Sequence, residues 1–394
     1  MITDTNLQEL EEKGYTVVPN VVTPDDCDQC VAQYKEWLSQ FKNGDWPLSS
    51  YSLIRNYNVG HMVPTWFIRL KSKTVFEQLW KTEKLLSSFD AIAIGRPPED
   101  GVERFDEPGR SWLHLDQNHS RVGLHACQGA VYLEEACEDD WTLQVLESSH
   151  KYFTEFFEQN HKASLRSNLN ALYRLRDNDF DFFEKKNCQV KRVPVTKGGM
   201  VLWDSRLVHA NANPQRGRKH HGRWRYVVFV SMTPAHWAGP DDLETRKFAY
   251  ENVKMTTHWS SNGVRFSSTA PTNNVLYPEM LPDIAKNTEA KQLSGVLPYS
   301  KTDGKPIGPM KPKWMHDVPK SPKNYSSKTG RLILVAIAIV LGITALVDKR
   351  DYKGIGVLVT KKDFDVDAND KDDSNHYNSH VDAATRAVTL SSYA

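Results

Sequence analysis

Residues 112–116, Trp-Leu-His-Leu-Asp, constrain this chain more than any other short stretch. In an extended strand the side chains alternate between faces, so His114 and Asp116 share one side while Leu113 and Leu115 take the other. The strand therefore presents an imidazole beside a carboxylate and anchors its back in an apolar core. Such a pair is half of a 2-His-1-carboxylate facial triad, the donor set that holds non-haem iron(II) and leaves coordination positions open. Alone, a His-x-Asp pair is also what an ordinary polar strand face looks like.

A partner for it lies 93 residues after Asp116, in Gly198-Gly199-Met-Val-Leu-Trp-Asp-Ser-Arg-Leu-Val-His209. The glycine pair reads as a turn, Met200 to Trp203 as a short strand, and the residues after the polar break as a second short run ending on His209. A basic loop follows, then the apolar strand Tyr226 to Val230 with Arg225 at its mouth. Those segments resemble the phytanoyl-CoA dioxygenase family of Fe(II)/2-oxoglutarate oxygenases. So do the flanking segments Gln128-Gly-Ala-Val-Tyr-Leu-Glu134 and Leu146-Glu-Ser-Ser-His150-Lys151, and the likeness spans roughly residues 7–265. The resemblance implies a double-stranded β-helix, with iron(II) on His114, Asp116 and His209, and 2-oxoglutarate whose far carboxylate meets an arginine. A guanidinium suits that task because it meets a carboxylate with two parallel hydrogen bonds. Arg225, 16 residues after His209, is the candidate; the family's spacing is usually shorter, so Arg223 stays a rival, and Gln128 joins them as a candidate co-substrate contact. Halogenating relatives carry a small residue where the carboxylate stands, so Asp116 points to hydroxylation.

The remaining chain fits a mainly β fold with flanking helices, a jelly-roll or cupin-like core. A polar helix is expected over 5–13, a strand over Tyr15–Val18, and a helix opening at Thr23-Pro24-Asp25-Asp26, where an N-cap, a proline and first-turn acids coincide. Cys27 and Cys30 fall on that helix's apolar stripe and read as core rather than as a redox or zinc pair. Further expectations are a helix over Val75–Leu86 and strands over Phe89–Ile94, Gly123–Leu133, Thr142–Leu146 and Val190–Val195. A helix is expected over Lys151–Gln159, and a charged loop over 99–110 that covers the site's mouth. His119, His236 and His258 have no partner at ligand spacing, and His125 reads as packed; Trp112 and Trp203 either pack or line the pocket. The basic loop Arg216 to Arg223 is either a solvated surface or a hold for an anionic substrate such as a CoA thioester or a lipid headgroup.

Composition bounds the rest. A length of 394 residues with 39% hydrophobic residues permits one large or two ordinary domains, and a formal net charge of +1 gives no reason to expect nucleic acid. Five scattered cysteines fit a reducing compartment better than a disulfide framework, and the N-terminus has neither the basic nor the apolar region of a secretory signal. The domain reading is an oxygenase domain over 1–265, an extension and Lys/Pro-rich linker over 266–330, a transmembrane helix over 331–348 and a polar tail over 349–394. The span rests on Leu332 to Val347, sixteen residues without a charge. Six Lys and Arg in 311–331 against five in 348–367 favour a membrane-anchored enzyme with its catalytic domain facing the cytoplasm. The substrate expected is a small molecule or lipid-like compound, with dioxygen. A silent binding module on the same fold and a hydroxylase of protein side chains are the alternatives.

Overall fold

Thirteen strands among the described residues carry the architecture: β1 (Tyr15–Val18), β2 (Ser49–Ser50), β3 (Leu53–Ile54), β4 (Leu85–Ser87), β5 (Ile92–Gly95), β6 (His114–Leu115), β7 (Cys127–Tyr132), β8 (Thr142–Leu146), β9 (Tyr173–Arg174), β10 (Val190–Val193), β11 (Met200–Asp204), β12 (His209–Ala212) and β13 (Arg225–Pro234). They come from a computed structural model that describes residues 1–42, 45–107, 112–169, 172–267, 275–312 and Met315. The strands form two antiparallel sheets. The larger runs β1-β11-β7-β13-β5-β3-β2, with β4 also on β13, and the smaller runs β10-β8-β12-β6-β9. Eight helices accompany them among the described residues: α1 (Asp4–Lys13), α2 (Pro24–Leu38), α3 (Val63–Trp80), α4 (Phe153–Gln159), α5 (His161–Leu169), α6 (Asp177–Glu184), α7 (Pro240–Glu251) and α8 (Thr288–Ser294). The fold is mainly β with flanking helices, a jelly-roll-like pair of sheets.

Period-two alternation sorts the strand side chains into separate cores. Met200 and Leu202 of β11, Val131 of β7 and Val228 and Val230 of β13 pack with Cys30, Val31 and Tyr34 of α2 and Phe76 of α3. The intervening residues, Val201, Trp203, Ala130, Tyr132 and Val227, meet Leu143 and Val145 of β8 between the sheets. On the smaller sheet's outer face, Leu113, Leu115, Leu146 and Ala210 pack with Phe153, Phe156 and Phe157 of α4 and with Phe183 of α6. Cys27 and Cys30 are buried in the first core as expected, and burial pushes both thiols up, to about 11 and about 12.

Gly198 shows why the turn before β11 needs glycine. Its φ is +77° and a Cβ there would collide with the Val22 carbonyl. The Gly198 carbonyl accepts from both Val21 N and Val22 N, which ties the loop before α2 to the turn.

Several expected boundaries move. The helix expected over Val75–Leu86 is α3, starting twelve residues earlier where Pro64 occupies its first turn and ending at left-handed Lys81. Leu85 and Leu86 are instead strand, paired with Pro234 and Thr233 of β13. The strand expected from Phe89 begins at Ile92, and the one expected from Gly123 begins at Cys127. There the Gln117 amide captures the Arg121 and Gly123 carbonyls, so residues 121–123 cannot join a ladder. His209 opens its strand rather than closing one.

The extension expected beyond 265 packs on the preceding residues where the structure describes it. Residues of the extension are strapped to the core: Trp37 Nε1 donates to the Leu276 carbonyl (3.1 Å) and Tyr250 OH to the Ala285 carbonyl (2.6 Å). Lys84 Nζ bonds the Asp303 carboxylate (2.6 Å), and Met315 is buried in the first core. The expected transmembrane helix over 331–348 lies outside the described residues; no described helix is long and apolar enough to cross a membrane.

Candidate metal centre and its cleft

Strand pairing brings the distant histidines together. His209 of β12 lies opposite His114 of β6, and their rings are 4.6 Å apart between centroids. Ser149 helps hold β12 in place, its Oγ accepting from Val208 N (2.9 Å). Asp116 follows β6 by one residue, on the inward side with His114, while Leu113 and Leu115 pack outward as alternation requires. His114 Nε2 is 3.5 Å from Asp116 Oδ1, and His209 Nε2 is 3.3 Å from Asp116 Oδ2. One donor atom from each of the three lies within 4.8 Å of the others.

The donor chemistry fits a divalent ion. His114 Nδ1 faces the Trp112 carbonyl (3.1 Å) and His209 Nδ1 the Leu207 carbonyl (2.9 Å). Carbonyls only accept, so each ring carries its proton on Nδ1 and keeps the Nε2 lone pair for the shared centre. Burial and the neighbouring His209 hold the His114 imidazole below its usual pKa, in the neutral form a metal requires. Burial alone would raise the Asp116 carboxyl, but the imidazoles of His258, His114 and His209 hold it well below the usual range. Gln128 Nε2 donates to Asp116 Oδ2 at 2.7 Å, so this residue steadies the carboxylate.

The three residues line a cleft of about 470 Å³ counted out to its open mouth. Trp112 and Trp203 are both on its wall, with Leu143 and Phe229. The Trp112 ring is stacked between Tyr51 (4.7 Å) and His114 (4.4 Å), which fixes the imidazole plane. Arg225 lies one hydrogen bond behind this wall, its Nη2 donating to Oδ1 of the cleft residue Asn211 (2.8 Å). Its other partners are Ser52 Oγ (3.1 Å) and Tyr132 OH (3.4 Å). Arg225 is buried, and among the described residues no carboxylate pairs with it and its Nε has no hydrogen-bond partner. Arg223 is placed differently: its guanidinium bonds Asp140 (2.8 Å) and Glu135 (3.1 Å) outside the cleft.

Three ionisable cleft residues were not expected from sequence. His258, read there as lacking partners, sits with Nδ1 3.9 Å from Asp116 Oδ2 and its ring edge-on to Trp259. Burial pushes its imidazole down to about 4. Asp90 and Arg55 complete the wall. Burial raises the Asp90 carboxyl to about 6 against the hydrogen bond from Ala91 N and the charge of Arg55. A polar residue just off a strand end is the sole signal for either, and the sequence holds many such positions.

Two arginines of the basic loop, Arg218 and Arg223, are already paired with acids. Arg218 is buried and forks onto both Glu99 oxygens (2.8 and 2.7 Å) while also bonding Asp140 (3.0 Å). Arg216 lies over the Phe105 ring. The loop containing residues 99–107 therefore packs on the basic loop, and its Asp106 N donates to the Pro214 carbonyl (2.7 Å).

Comparison with known proteins finds similar chains. The family model described as Phytanoyl-CoA dioxygenase (PhyH) matches residues 10–219, just over half of the chain. A curated relative, "Ava biosynthesis cluster protein O" of Aspergillus versicolor, is 27% identical over 268 residues, which is 64% of this chain and 84% of that protein. Among solved structures, AviO1 from Streptomyces viridochromogenes Tue57 is similar at 17% identity and a TM-score of 0.39, over 58% of this chain and 92% of that one. EctD from S. alaskensis with bound Fe is similar at 13% identity and a TM-score of 0.41, over 59% of this chain and 76% of that one.

Proposed function

The chain belongs to the phytanoyl-CoA dioxygenase family of iron(II)- and 2-oxoglutarate-dependent oxygenases, and from that premise we propose that it hydroxylates a small molecule in the cleft above His114, Asp116 and His209. The observation that carries the reading is the convergence of two Nε2 atoms and one carboxylate within 4.8 Å, on residues 93 positions apart in the chain. In this reading the three side chains hold the iron on one face, and the carboxylate offsets one of its two charges. When bound, iron with 2-oxoglutarate supplies the oxidising power: dioxygen converts the oxoacid to succinate and carbon dioxide and leaves one oxygen atom for the substrate.

The protein's own contribution is orientation and dryness. The Trp112 and Leu207 carbonyls fix both histidine tautomers, and Gln128 keeps Asp116 from turning away. Arg225 is the receiver for the far carboxylate of 2-oxoglutarate, with Asn211 between it and the cleft. A buried guanidinium bonded only to neutral groups gains most from an arriving anion. Trp112, Trp203, Leu143 and Phe229 exclude water beside the reacting bond. Arg218 and Arg223 are already neutralised, which removes the main support for a CoA-type anion held by the basic loop. Leu332 to Val347 is proposed as a membrane tether on composition alone.

Succinate release from 2-oxoglutarate tests the reading. Wild-type protein with iron(II) is expected to release succinate, and Asp116→Ala to lose at least about 100-fold, as expected when a metal ligand is removed. An iron-loaded wild type that releases none would make the chain a binding module on this fold.

A further inference from the structure

Resting on the reading that the cleft is where substrate is oxidised, we propose that its wall at Arg55 and Asp90 is a subsite for a small zwitterion, with a carboxylate on Arg55 and a protonated amine on Asp90. Both residues line the cleft that contains His114, Asp116 and His209. Arg55 is exposed at the end of β3 and has no hydrogen bond or ion pair among the described residues. Asp90 is half-buried, and its one side-chain hydrogen bond among those residues comes from Ala91 N (2.7 Å). The two charges feel each other without touching: Arg55 acts on the Asp90 carboxyl, yet no ion pair within 4.0 Å joins them. A gap of this kind suits a ligand that brings both opposite charges.

Other substrate classes fit less well. A purely anionic molecule would meet Asp90 and the nearby charge of Asp116, and a purely cationic one would meet Arg55. An uncharged ligand would close the cleft over two charges and compensate neither. The skeleton between the two ends has Trp112 and Phe229 to lie against.

The wall is also built to stay in place, which lowers the entropy cost of binding. Buried Arg69 donates to the Gly60 carbonyl (2.8 Å) and the Ser88 carbonyl (3.0 Å), bracketing Asp90. Gly60 approaches so closely that a Cβ would sit 2.7 Å from the Asp90 carbonyl oxygen. Thr256 closes the far side, its N donating to the Phe89 carbonyl (2.9 Å) and its Oγ1 accepting from Phe89 N (2.9 Å). His258, two residues on, shares the wall.

The test uses the purified full chain and the proteinogenic amino acids, each beside its amine-lacking and carboxylate-lacking counterpart. Binding is read by quenching of tryptophan fluorescence, since Trp112 and Trp203 line the cleft. At least one amino acid is expected to bind about tenfold or more tighter than both counterparts. Arg55→Gln should erase the advantage of the carboxylate, Arg55→Lys should keep most of it, and Asp90→Asn should erase the advantage of the amine. If Asp90→Asn does not fold, the two Arg55 variants still decide. The proposal is overturned if no amino acid outbinds its counterparts, or if the variants keep wild-type preferences. Succinate release without added substrate, measured in parallel on wild type, reports on the oxygenase reading by itself, so either can fail alone.

Discussion

Arg218 and Arg225 are seven residues apart and both are buried, yet their surroundings are opposite. Arg218 is surrounded by acid, with Glu99 and Asp140 supplying three oxygens at hydrogen-bond distance. Arg225, facing the space between the sheets, has Ser52, Tyr132 and Asn211, all neutral. A buried cation with a full set of counter-charges is a clasp between loops. A buried cation without one costs stability in the free protein, and at Arg225, one hydrogen bond behind the cleft, we read that cost as offset when an anion arrives. The same contrast runs across the molecule: the loop ion pairs are closed, while Arg55, Asp90 and His258 on the cleft wall leave polar capacity unused.

Breaking the clasp should give the largest effect. Arg218→Leu takes one of two guanidinium partners from buried Asp140 and is expected to cost about 3 kcal/mol by chemical denaturation, the low end of the range for removing one member of a buried pair. The pH dependence should agree. The bond from Arg218 holds the folded Glu99 carboxyl down at about 2, against 4.5 as its ordinary value. The unfolded chain therefore takes up the proton first on acidification. This contribution is complete above pH 4.5 and disappears as pH falls towards 2, so Glu99→Gln should flatten that limb of the stability curve. An unchanged limb would mean that Glu99 is not the clasp described here.

Arg225 should respond in function rather than fold. In Arg225→Gln the KM for 2-oxoglutarate should rise about 30-fold or more, the ~2 kcal/mol lower bound for truncating one side of a buried charge pair. Stability of the ligand-free protein should fall much less than in Arg218→Leu, because no carboxylate is orphaned. If the two arginine variants lose equal stability and KM does not move, the contrast between clasp and receiver is wrong.

How far the sequence foresaw this depends on which physical signal each residue carries. His114 and Asp116 were legible because strand alternation is strict, and Leu113 and Leu115 do pack on the opposite side. The turn at Gly198 was legible because only glycine tolerates its φ beside the Val22 carbonyl. Helix α3 was misread because its early half carries polar residues that nonetheless pack, with Thr65, Arg69 and Ser72 all buried. Periodicity counts such residues as surface. The cleft wall was invisible for another reason: Arg55, Asp90 and His258 follow strands or lie in a loop, where no period applies and only the chain's path brings them together. The pairing within the basic loop was not legible because a run of cations in sequence does not show the acids that face it, here Glu99, Glu135 and Asp140.

The smallest expected effect is the most discriminating for the loop. Arg223 pairs with Asp140 at 2.8 Å in a buried position and with Glu135 at 3.1 Å at the surface, where the Glu135 side chain is 51% exposed. Solvent screens the second pair, so Glu135→Gln should cost less than about 1 kcal/mol, and the difference should shrink in high salt. Were it instead to approach the loss in Arg218→Leu, the loop arginines would be acting as one cooperative network through Asp140. Arg223 would then count as part of the clasp on energetic as well as geometric grounds, leaving Arg225, among the described residues, the buried arginine of this loop and strand region without a carboxylate partner.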